Sequence, residues 1–144
     1  MLLRDLLVKV SILKLIGSTD IKISDLQFDS RLVKNDNIFF AIKGNKNDGH
    51  NYLNDVIKKG VVAVVVENIP KNTYSNVTYI KVDNTKEAMG IIAANFFHHP
   101  TKKIKLIGVT GTNGKTTIVS LLHQLFTLIG KNVGMLSTIE NKII

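Results

Sequence analysis

A chain of 144 residues with 44% hydrophobic side chains can bury one ordinary core or two small ones. It contains no cysteine, which excludes disulfides, thiolate metal sites and thiol catalysis, and no run of eighteen apolar residues, so no membrane span is predicted. The formal charge of +8 comes from seventeen lysines and two arginines that are scattered, with only Lys102, Lys103 and Lys105 grouped. That pattern suits a solvated surface or a positive field for anionic nucleotides, and nucleic acid is not an expected partner.

Residues 1–16 are apolar but interrupted by Arg4, Asp5, Lys9 and Lys14, so they lack the order of a secretory signal. Their apolar spacing predicts an amphipathic helix over 2–15, ended by Gly17 to Asp20, and the cytoplasm is the expected compartment. Short strands are predicted at 21–23, 26–28 and 38–42, followed by a polar turn over 45–49. A helix is predicted over 52–59, closed by Gly60. Residues 61–66 are almost all valine, the composition of a buried parallel strand. A loop with Pro70 leads to a strand over 77–82, and Asp83 is placed to cap a helix over 85–97. Pro100 disfavours helix at His99, so the chain turns there and a domain boundary is predicted, giving domains 1–99 and 100–144. The paired His98 and His99 have no carboxylate or third ligand near them in sequence and read as linker residues.

Beyond the boundary, a strand over 104–110, a glycine loop, a helix over 115–129 and a strand over 133–137 form one predicted βαβ unit. The loop carries the chemistry. Gly111, Thr112, Asn113, Gly114, Lys115, Thr116 and Thr117 follow the strand and open the helix. Glycines let backbone N–H groups converge on phosphate oxygens, and the helix directs its free N–H groups at the same anion. Lys115 can reach the terminal phosphates of ATP and is the predicted catalytic residue, and the Thr116 hydroxyl can ligate Mg²⁺. The general pattern G-x-x-x-x-G-K-S/T is met only in part, because Val109 stands where its first glycine belongs.

The variant Thr110-Gly111-Thr112-Asn113-Gly114-Lys115-Thr116-Thr117 resembles the ATP loop of the Mur ligase superfamily. Upstream, Asp29-Ser30-Arg31, the run from Asn37 to Gly44, and Asp48-Gly49-His50 resemble that family's D-S-R, G-D-L/I-F-x-A-x-x-G and D-G-x-x-Y/F patterns. Asn35-Asp36-Asn37 departs slightly from the family's Gly-Asp turn. The stretch Phe96-Phe97-His98-His99-Pro100-Thr101 resembles the linker of the member that adds the third residue of the peptide.

The resemblance implies an α/β fold: a small Rossmann-like N-terminal domain, then the first βαβ unit of a P-loop domain. It implies an ATP- and Mg²⁺-dependent ligase of peptidoglycan precursor synthesis. Such an enzyme activates the carboxylate of UDP-N-acetylmuramoyl-L-Ala-D-Glu as an acyl phosphate and joins it to a free amino acid, diaminopimelate or lysine. A D-Ala-D-Ala-adding member and a generic P-loop module are the alternatives. By position, Phe28 and Ser30 fall on the UDP site, and Asn45, Lys46 and Asn47 on the loop that closes over the nucleotide. Read from its residues alone, Asp29-Ser30-Arg31 is a strand-ending turn in which Ser30 bonds its own backbone. Residues 139–144 break off within the second domain, so the chain is expected to be an incomplete and by itself inactive portion of the enzyme.

Overall fold

The computed structural model describes residues 1–44 and 47–143, which divide into two compact units, Met1–Lys103 and Ile104–Ile144. The first unit is built on a five-stranded sheet in the order β1-β5-β4-β3-β2. Its strands are β1 (Ile12–Ile16), β2 (Asp25–Gln27), β3 (Asn37–Phe40), β4 (Ala63–Val66) and β5 (Thr78–Val82). Strands β2 to β5 run parallel, and β1 pairs antiparallel with β5 at the edge.

Alternation along the central strands divides the core between the two faces of the sheet. Ile38, Phe40, Val65, Ile80 and Val82 face one way, against α1 (Leu3–Leu6) and α3 (Thr85–Phe96). Phe39, Ala41, Val64, Val66 and Tyr79 face the other way, against α2 (Leu53–Lys58) and Val33. Every residue of β3 and β4 is buried, as continuous apolar strands require when both faces are covered. The buried Asn95 of α3 donates to the carbonyls of Leu6 and Val8, each at 2.8 Å, and so ties the end of α1 to the core.

The helix predicted over 2–15 is instead a single turn, α1, followed by strand β1. Apolar spacing in a short run does not separate helix from strand. Here Lys9, at φ 66°, ends the helix, and the register of Ile12 to Ile16 against β5 draws the rest into the sheet. The cap of α3 is Asn84, whose side-chain Oδ1 accepts from Lys86 and Glu87 N–H, rather than Asp83. Gly60 (φ 91°) closes α2 as expected. The turn before Pro100 is made by His98 and His99, both left-handed at φ 57° and 51°.

In the second unit, α4 (Lys115–Leu128) is followed by β6 (Gly134–Leu136) and β7 (Asn141–Ile143), which pair antiparallel. The strand predicted over 104–110 carries no ladder among the described residues, and β6 pairs with β7 rather than with that segment. The composition of 104–110 favours a strand, but a strand exists only where a neighbour accepts and donates its backbone hydrogen bonds. Among the described residues, no helix is long and apolar enough to cross a membrane.

Candidate functional sites

The first unit holds an open cavity of about 420 Å³ at the C-terminal ends of β2 and β3. Ligands of parallel α/β sheets bind at this edge, because the strands end there and the loops diverge. One wall is Phe28 to Arg31, which follows β2, and the other is Ile42, Asn47, Gly49 and Tyr52, which follow β3. Three residues named from the sequence, Phe28, Ser30 and Asn47, thus line one cavity. Asn45 and Lys46 lie outside the described residues.

The turn after β2 is built by Asp29. Its Oδ1 accepts the Arg31 N–H at 2.9 Å, the local turn that an aspartate makes with the amide two residues on. The same carboxylate grips the Arg31 guanidinium through Nε (2.9 Å) and Nη2 (2.6 Å). The guanidinium, followed by that N–H, holds the Asp29 carboxyl down at about 2, and the carboxylate raises Arg31 in turn. Lys59, just past α2, donates to the Ser30 carbonyl at 2.7 Å and fixes the turn from behind. The backbone-bonding role expected of Ser30 therefore belongs to Asp29. Among the described residues the Ser30 hydroxyl has no hydrogen-bond partner, and Phe28 is 65% exposed, a large aromatic face left in the open.

The opposite wall returns onto β3. Gly49 N–H donates to the Ile42 carbonyl at 2.9 Å. A Cβ on Gly49 would stand 2.7 Å from Ile42 N, so only glycine allows this approach. The Asp48 carboxylate accepts from the His50 N–H and from the His50 ring, which together lower its pKa.

The second unit presents the loop Gly111 to Gly114 and the start of α4. Gly111 and Gly114 have φ of 151° and 75°, conformations that L side chains rarely adopt. Gly114 is the N-cap of the 14-residue α4 and offers no side-chain cap. Ile118 N–H donates to the Gly114 carbonyl, and among the described residues the N–H groups of Lys115, Thr116 and Thr117 are the unpaired donors of the first turn. The Lys115 ammonium folds back onto the loop, donating to the carbonyls of Gly111 (2.5 Å) and Thr112 (3.2 Å). Among the described residues, nothing lies within 4 Å of where a Cβ on Gly114 would point. The residues present therefore fit a polyphosphate: open backbone, free N–H groups, a helix N-terminus and one ammonium on the same loop.

Residues 22–97 match the model of the Mur ligase family, catalytic domain. The chain belongs to the Mur ligase family. It is 46% identical, over 99% of its length, to the UDP-N-acetylmuramoyl-L-alanyl-D-glutamate--2,6-diaminopimelate ligase of Cytophaga hutchinsonii. It is 40% identical, again over 99% of its length, to the enzyme of the same name from Clostridium tetani. The chain spans about 30% of the length of either relative. Among solved structures, a UDP-N-acetylmuramoyl-L-alanyl-D-glutamate--2,6-diaminopimelate ligase covers 100% of the chain with a TM-score of 0.73 at 20% identity; the chain covers 29% of it. MurF from Acinetobacter baumannii covers 89% with a TM-score of 0.65 at 24% identity; here the share is 28%. At these identities the structural likeness carries the fold alone.

Sequence reading passed over the clasp of Asp29 and Arg31, Tyr52 and the support from Lys59. The clasp had a local signal, an acidic residue two positions before an arginine. Tyr52 and Lys59 reach the turn only through the tertiary fold.

Proposed function

We propose that this chain carries the muropeptide-binding and ATP-cradling parts of a ligase that joins diaminopimelate to UDP-N-acetylmuramoyl-L-alanyl-D-glutamate. The observation that carries the reading is 46% identity over 99% of the chain to a relative bearing that name, across both sites. In this reading the cavity of the first unit takes the uridine nucleotide, with Phe28 against the base, and Ser30 and Asn47 supplying polar contacts. An exposed aromatic face beside polar groups suits a base linked to an anionic chain.

The loop Gly111 to Thr117 takes ATP. Gly111, Thr112, Asn113 and Gly114 contribute open backbone, Lys115 the neutralising charge, and Thr116 and Thr117 their N–H groups and hydroxyls. The Thr116 hydroxyl is the proposed ligand to Mg²⁺, which offsets charge between the phosphates. The substrate carboxylate attacks the γ-phosphorus and ADP leaves; the amine of diaminopimelate then attacks the acyl carbon and inorganic phosphate leaves. Phosphoryl transfer asks for positioning and charge neutralisation more than covalent chemistry by the protein. The part assigned to Lys115 and the α4 N-terminus is that neutralisation.

Calorimetric titration of UDP-N-acetylmuramoyl-L-alanyl-D-glutamate and, separately, Mg·ATP into the chain tests the reading. Saturable binding of each without competition between them is expected. Binding of ATP with no response to the muropeptide would reduce the protein to a generic nucleotide-binding module.

A further inference from the structure

The His50 imidazole joins the cavity wall to the next strand of the sheet by hydrogen bonds at both ring nitrogens. Its Nδ1 lies 2.6 Å from Asp48 Oδ1, and its Nε2 accepts the Glu67 N–H at 3.0 Å. Glu67 follows β4 directly, and its Oε1 accepts from the N–H (3.2 Å) and hydroxyl (2.9 Å) of Thr85, the fully buried first residue of α3. A line of hydrogen bonds therefore runs from Asp48 through His50 and Glu67 to the start of α3, along the C-terminal edge of the sheet. Residues on both sides of His50, Gly49 and Tyr52, line the cavity.

The chemistry of this line assigns the ring. A backbone N–H can only donate, so Nε2 must present its lone pair, and the proton of the neutral ring sits on Nδ1 and donates to Asp48. Imidazole offers one donor and one acceptor at opposite edges of a rigid ring, which matches the two partners here. Positioning groups of this kind hold a binding wall within a fraction of an ångström of its working geometry.

We infer that His50 is a positioning residue for the uridine-nucleotide cavity. In its Nδ1–H form it pins the Asn47–Tyr52 wall to the end of β4, so that the wall meets the ligand already in place. The inference rests on the reading of that cavity given under Proposed function.

Two measurements test it. The ¹⁵N spectrum of the His50 ring in the unmodified chain reads the tautomer directly, with Nδ1–H expected; an Nε2–H tautomer overturns the inference whatever the variants do. Titration of UDP-N-acetylmuramoyl-L-alanyl-D-glutamate into the full chain then compares wild type, His50→Gln and His50→Asn. The Gln Oε1 can reach the Nε2 position and accept from Glu67, so His50→Gln should bind within about threefold of wild type. Asn is too short to reach Glu67, leaves that N–H without its partner, and should bind about tenfold more weakly while still melting cooperatively. Equal binding by His50→Asn and wild type, or equal weakening in both variants, overturns the positioning role. Absence of binding by wild type overturns the uridine-nucleotide reading itself, and the inference with it.

Discussion

Each unit sets an apolar helix against strands, yet the two bury their side chains very differently. In Met1–Lys103 the strands β3 and β4 are wholly buried between α1 and α3 on one face and α2 on the other. In Ile104–Ile144 the buried apolar residues among those described come down to Met135, and Leu128 of α4 is 85% exposed. The contrast shows how separately a pattern and a core are determined. Periodicity decides which face of a helix or strand is apolar, and burial depends on how many neighbours that face meets. A two-stranded ribbon covers little of α4, whereas a five-stranded sheet with helices on both faces encloses its own side chains. The two sites follow the same division. The loop Gly111 to Gly114 is made by local backbone geometry. The cavity needs the sheet, which brings together the segments that follow β2 and β3.

Phe40→Ala empties a fully buried position in the first unit and should cost about 3–5 kcal/mol in urea unfolding. Leu125→Ala in α4, where the side chain is half exposed, should stay within about 0.5 kcal/mol. Equal costs would mean that α4 is covered far better than the exposure of its side chains implies.

Next in size is Lys115→Ala, which removes the ammonium from the loop. ATP should bind at least about tenfold more weakly, with muropeptide affinity unchanged, in parallel calorimetric titrations. A loss of both affinities would join the sites that this account keeps separate. Ser30→Ala should do the reverse on a smaller scale, weakening the muropeptide about fivefold and leaving ATP untouched.

The smallest effect is on pH. The Asp29 carboxyl is depressed from 3.8 to about 2, so its clasp on Arg31 is complete above pH 3.8 and is lost as pH falls through about 2. A ¹³C titration of the carboxyl should show that midpoint, and Arg31→Gln should return it toward 3.8. A wild-type midpoint at 3.8 would mean that the clasp does not form in solution.

Much of the first unit was legible before its structure, for reasons that particular residues make plain. The valine run over 61–66 predicted a buried parallel strand, and β4 (Ala63–Val66) pairs with parallel neighbours on both sides. The helix predicted over 85–97 is α3 (Thr85–Phe96). The opening segment was misread because Ile12 to Ile16 satisfy helical spacing, and only pairing with β5, far away in sequence, decides otherwise. The segment 104–110 shows the converse, a strand-like composition with no partner among the described residues. The loop Gly111 to Thr117 was expected to hold phosphates from its glycines and lysine, and what the structure adds there is local: Gly111 and Gly114 take positive φ. Phe28, Ser30, Asn45, Lys46 and Asn47 were named from a family resemblance, and of these Phe28, Ser30 and Asn47 line the cavity; the Asp29–Arg31 clasp and the bridge through His50 became visible only with distances.

The two sites are proposed to take different ligands, the muropeptide in the cavity and ATP on the loop. Amide chemical-shift mapping of the ¹⁵N-labelled chain, titrated with UDP-N-acetylmuramoyl-L-alanyl-D-glutamate, tests it most directly. Perturbations are expected at Phe28, Ser30, Arg31, Asn47, Gly49 and Tyr52, with Gly111 to Thr117 unmoved until Mg·ATP is added. Muropeptide-induced shifts centred on Gly111 to Thr117, or none at the cavity, would contradict it.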